Sequence, residues 1–98
     1  MSPLQDGRLA IDAVDRQIIA LLAERRRIVA LVAKSKQSLG LPAVDLEREH
    51  ALQEHWRKAA EEHAVPIEVA LVVLGALLAP SRAHVQSIFE GDGGPTKG

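Results

Sequence analysis

Residues 7–38 read GRLAIDAVDRQIIALLAERRRIVALVAKSKQS, and how this stretch is read decides the fold. No Pro or Gly follows Gly7 within it. Apolar residues at Ile11, Val14, Ile18, Leu21, Ile28 and Val32 recur three, four or seven apart. That is the seam of a helix packed along its length on others, and it predicts one uninterrupted helix on the order of 45 Å long. Arg25 occupies a seam position where the pattern calls for an aliphatic residue. Lys36 follows eleven positions later, almost a whole number of turns, so the two cations share a face about 16 Å apart. Cations aimed into a helical interior cost several kcal/mol each unless an anion meets them. The interior is therefore expected to hold an anionic ligand.

The rest of the composition fits a helical bundle. Ninety-eight residues make one domain near the lower limit for a self-sufficient core, and the only aromatics are Trp56 and Phe89. The core must be aliphatic and Ala-rich. A net charge of −1 gives no global pull toward nucleic acid or membrane, and the absence of Cys removes disulfide and thiolate chemistry. Met1 to Gly7 lacks the apolar run of a signal peptide, and the longest apolar run, Val69 to Ala79, is too short for a bilayer. These features predict a soluble, cytoplasmic, all-α protein. His50, His55, His63 and His84 lack the spacing that puts two ligands on one helical face, so no metal site is expected. No Gly-rich phosphate loop, nucleophile–base pair or basic recognition helix is present.

Outward from the first helix, residues 1–6 read as a flexible lead-in, with Pro3 a candidate helix start. Gly40 and Pro42 mark a short loop. A second helix is expected from about Val44 to His63, with Asp45, Arg48, Glu49, Leu52 and Trp56 along one stripe. Pro66 fits the first turn of a third helix running to about Phe89 and bent at Pro80. Residues 7–90 form the helical domain, and the Gly/Pro-rich residues 91–98 read as a disordered tail. Two shorter helices cannot cover both ends of the first. A partner chain is expected, most simply a two-fold homodimer in which the long helices pack together.

The polar residues that fall on apolar faces or at helix starts are Arg25, Lys36, Asp45, Arg48, Glu49 and Ser81. Three cations and two carboxylates converging in a bundle suit a small dianion that also carries a hydroxyl. Arginine grips carboxylates with a planar fork, and lysine brings a compact charge to an ether or carbonyl oxygen. Arg26 and Arg27, off the seam, read as a solvated charge run.

The segments Leu21-Leu22-Ala23-Glu24-Arg25-Arg26, Lys34-Ser35-Lys36 and Pro42-Ala43-Val44-Asp45-Leu46-Glu47-Arg48-Glu49 together resemble the all-helical (AroQ-class, type II) chorismate mutase family. The resemblance implies three helices per chain, one of them long and N-terminal, in an entwined homodimer with two shared active sites. It also implies a cofactor-free Claisen rearrangement of chorismate to prephenate. By position, Arg25 and Arg48 match the family's carboxylate-binding arginines. Lys36 matches the lysine at the ether oxygen, Asp45 and Glu49 the acids at the ring hydroxyl, and Ser81 the serine near a carboxylate. Arg8 matches the arginine sent in by the other subunit; about 42 Å of helix separates it from Lys36, so it cannot serve its own chain's site. Lys36, Arg25 and Glu49 are the expected catalytic residues.

One position departs from the family. Where its pattern has Gln or Glu, four residues after the serine, this chain has Val85, with Gln86 one place later. A missing donor at the ether oxygen implies either help from an activating partner enzyme or a related substrate. The related reactions are those of 4-amino-4-deoxychorismate mutase and isochorismate–pyruvate lyase. The rival from another class is a non-catalytic helical regulatory dimer.

Overall fold

A computed structural model of the chain describes residues 2–91, and the expected tail at 92–98 lies outside them. Among the described residues there are three helices and no strand: α1, Pro3–Ser38; α2, Leu46–Glu62; and α3, Ile67–Gly91. α3 packs against both α1 and α2.

α1 starts four residues earlier than the seam pattern indicated, so residues 3–6, expected as lead-in, form its first turn. The reason is local. The Ser2 hydroxyl accepts from the Gln5 amide at 3.1 Å, Pro3 needs no amide partner at the first helical position, and Asp6 faces the positive end of the helix dipole. These gains offset the roughly 1 kcal/mol by which Gly7 disfavours a helix interior. At the other end Gly40 takes φ +72°, and the Leu41 amide reaches back to the Lys36 carbonyl at 2.8 Å. This closes a glycine-ended C-cap. α2 ends the same way without glycine. Ala64 sits at φ 56° while the Val65 amide bonds the Ala60 carbonyl, a placement that costs an alanine about 1 kcal/mol.

α2 begins at Leu46 rather than Val44, because Asp45 is its cap. The Asp45 carboxylate accepts from the Arg48 amide at 3.0 Å. Pro66 likewise stands just before α3, its carbonyl accepting from the Ala70 amide. α3 continues through Pro80 to Gly91. It is long and apolar enough, by length and composition, to cross a membrane, which the apolar run from Val69 to Ala79 did not suggest. Here one of its faces lies against α1 and α2, with Ala70 and Leu74 buried.

The isolated chain covers little of its apolar surface. The buried residues are Ala33, Ala60, Ala70 and Leu74. The seam of α1 is open instead: Ile11, Val14, Ile18 and Leu21 are 59, 52, 49 and 68% exposed. Every described residue before Leu22 is exposed, so the N-terminal half of α1 projects from the packed part of the molecule, whose longest dimension is 57 Å.

Candidate active site

The C-terminal half of α1, the start of α2 and the second half of α3 enclose a cavity of about 470 Å³. Its walls are built by helical period. α1 contributes Arg25, Val29 and Lys36, with Leu21, Ile28 and Val32 beside them. α2 contributes Asp45, Arg48, Glu49 and Leu52, spaced so that they share one side of the helix. α3 contributes Leu78, Ser81, Arg82 and Val85, again one turn apart. Seven of the residues singled out by sequence, Arg25, Lys36, Asp45, Arg48, Glu49, Ser81 and Val85, therefore meet at one place. Arg8 does not line the cavity and is solvent-exposed on the projecting half of α1.

Three of the cations lack a carboxylate partner among the described residues. Arg25 is half-buried and donates from Nη1 to the Ser81 hydroxyl at 2.8 Å, which ties α1 to α3 and fixes the guanidinium plane. Lys36, also half-buried, donates from Nζ to the Ala43 carbonyl at 3.3 Å. An ammonium has three donors, so two remain for a ligand. The Arg48 side chain lies exposed at the rim, and its amide, not its guanidinium, bonds Asp45. One end of α1 is held in place by Gln37, whose amide donates to the Phe89 carbonyl at 3.3 Å.

The acids are arranged differently. Asp45 is exposed, and one carboxylate oxygen is occupied by capping α2. Glu49 is gripped by Arg82: Nε and Nη2 each donate to a different carboxylate oxygen, both at 2.7 Å. Those hydrogen bonds hold the Glu49 carboxyl below its ordinary range; partial burial opposes them and the guanidinium charge adds to them. The same bonds raise Arg82 above the usual arginine value. Sequence reading did not single out Arg82. Its spacing from Leu78 and Val85 puts it on the cavity side of α3, but its partner lies 33 positions away on another helix, which no pattern within α3 reveals.

The open question at positions 85 and 86 has a geometric answer. Val85 lines the cavity. Gln86 is exposed and donates to Glu90 at 2.8 Å, one turn along the outer face of α3. Continuing the helix through Pro80 leaves the 100° offset between successive residues intact, so the amide does not turn inward.

An apolar wall that carries three carboxylate-free cations and a neutralised acid can bind a compact dicarboxylate and accept a hydrogen bond from a hydroxyl on it. It offers no nucleophile–base pair. Its chemistry is positioning together with fixed positive charge.

Comparison with known proteins agrees with that chemistry. The family model described as chorismate mutase type II matches residues 7–86. A protein named chorismate mutase from Methanocaldococcus jannaschii is 34% identical over 87 residues, covering 89% of this chain and 88% of that one.

Proposed function

This chain belongs to the type II chorismate mutase family, and we propose that it rearranges chorismate to prephenate in the cavity between its three helices. The observation that carries the reading is the trio Arg25, Lys36 and Arg48 on one cavity, none with a carboxylate partner among the described residues. Such charge is stable there when a dianion supplies the counter-charge.

In the rearrangement one ether C–O bond breaks and one C–C bond forms within the same molecule, so no proton or leaving group needs a receiver. The site's task is to hold the compact conformer and stabilise charge as the ether bond lengthens. Arg25, set by Ser81, and Arg48 hold carboxylates. Lys36 donates to the ether oxygen. Asp45 and Glu49 accept from the ring hydroxyl. The partner subunit's Arg8 completes the cationic wall.

That last role requires a homodimer, which the bare seam of α1 supports. Burying one Ile, Leu or Val side chain stabilises by about 1.5–3 kcal/mol, and the projecting half of α1 carries Ile11, Val14, Ile18, Ile19 and Leu21 uncovered. A neutral-to-acidic chain without a recognition helix is read as a cytoplasmic enzyme that binds neither nucleic acid nor membrane.

An ultraviolet assay of chorismate loss with product identification tests the proposal, run beside 4-amino-4-deoxychorismate and isochorismate. Prephenate should appear one for one with chorismate lost and without added cofactor. Turnover of only one of the alternatives contradicts the proposal. Val85 on the cavity wall favours a second reading, in which an activating partner enzyme tightens the site. Prephenate formation that rises sharply on adding such a partner would distinguish it.

A further inference from the structure

We propose that Arg82 is a specificity-determining residue that makes the acidic end of the cavity select a neutral hydroxyl over a protonated amine at the same ring position. The inference rests on the reading under Proposed function, in which Glu49 meets that ring substituent, and adds to it the choice of substituent.

Besides Arg82 and Glu49, the charged groups on the cavity are Glu24, Arg25 and Lys36 from α1 and Asp45 and Arg48 from the start of α2. Glu24 is already paired with Arg27 at 2.9 Å, and Arg27 is not on the cavity. Without Arg82 the Glu49 carboxylate would lose its ion-pair partner, and a carboxylate without one draws an ammonium more strongly than a hydroxyl. With Arg82 the Glu49 carboxylate has its charge matched by a guanidinium in fork geometry.

Lone pairs decide what remains. A carboxylate has about four acceptor sites, and the two Arg82 bonds use one on each oxygen. Glu49 keeps the capacity to accept from a hydroxyl. It loses most of its attraction for a second cation, because a guanidinium is already bonded to both of its oxygens. The Glu49 side chain is 19% exposed and that of Arg82 49%. Both side chains line the cavity, and the carboxylate is the more covered of the two. Partial exposure screens the repulsion between Arg82 and an ammonium without abolishing it.

The pair also positions Glu49. It links α2 to α3 across 33 residues, fixes the plane of the carboxylate and keeps it ionised. Because Glu49 is held below the ordinary range, its ionised form persists as pH falls. Removing Arg82 returns the group toward the ordinary range and shortens that window from the acid side.

The test compares kcat/KM for the hydroxyl substrate and for its analogue with an amine in that position, in the parent chain, Arg82→Met and Arg82→Lys. The hydroxyl-to-amine ratio should fall about fivefold or more in Arg82→Met. It should stay near the parental value in Arg82→Lys, which keeps the charge and loses the fork. The acid limb of the kcat/KM profile should move to higher pH in Arg82→Met. Thermal melts establish that the variants are folded, and Arg82→Gln replaces the methionine variant if that one is not. An unchanged ratio, with both substrates slowed alike, reduces Arg82 to a structural tie and overturns the inference. A parent chain that turns over neither compound defeats the underlying functional reading, and this inference with it. Turnover with an unchanged ratio defeats this inference alone.

Discussion

Replacing Lys36 with methionine should lower kcat/KM for chorismate by about 10²–10³, most of it in kcat. Lys36 is half-buried, holds one carbonyl at 3.3 Å and has no carboxylate partner among the described residues, so its remaining donors point to a ligand. In the proposed reaction the ether oxygen is nearly neutral in the ground state and gains charge as the bond breaks. A donor that matters only then lowers the barrier and contributes little to substrate binding, which is why kcat should take the loss. Methionine keeps most of the stem's packing, and removing a half-buried, uncompensated cation should leave the melting temperature unchanged or raise it. Steady-state kinetics alongside a thermal melt separate the possibilities. A fall in Tm with undiminished kcat would make Lys36 a helix-end residue rather than a catalytic one.

Val85→Gln should act in the opposite direction, raising kcat by about tenfold or more. Val85 lies one turn beyond Ser81 on the wall of the cavity, where a side-chain amide would add a second donor to the oxygen served by Lys36. Donors of this kind are worth on the order of 3 kcal/mol, and some of that is lost in ordering a longer side chain. The neighbouring Gln86 cannot substitute, since it is engaged with Glu90 outside the cavity. Gln86→Ala is therefore the control, with kcat close to that of the parent. An unchanged or reduced kcat in Val85→Gln would mean that position 85 is not beside the ether oxygen.

What the sequence revealed follows from the range over which its signals act. The α1 seam and the displaced Arg25 were legible because helical periodicity is local and repeated, so a single charged residue in an aliphatic series stands out. The same arithmetic set Gln86 about 100° from Val85 but left open whether the Pro80 kink turns it inward; in the structure Val85 lines the cavity and Gln86 bonds Glu90. α1 begins four residues before Gly7, at the Pro3 that the sequence marks as a candidate helix start, because the Ser2 hydroxyl caps it through the Gln5 amide. Arg82 lies at helical spacing from Leu78 and Val85, yet its pairing was not legible. Its importance comes from a fork onto Glu49 between two helices, and packing partners across helices are not encoded in the period of either one. Arg8 shows the converse: its distance from Lys36 along one rigid helix placed it outside its own chain's cavity without any tertiary information.

In the proposed enzyme, positive groups from two chains enclose one dianion. Mixing an Arg8→Ala chain with an Arg25→Ala chain tests it most directly, through prephenate formation before and after subunit exchange. Each homodimer should be severely impaired. A mixed dimer pairs one chain's intact Arg25 with the other's intact Arg8 at one of its two sites, so random exchange at equal amounts should restore about a quarter of the parental activity. No recovery, despite mixed dimers being present, would contradict a site shared between subunits; an Arg8→Ala chain as active alone as the parent would do the same.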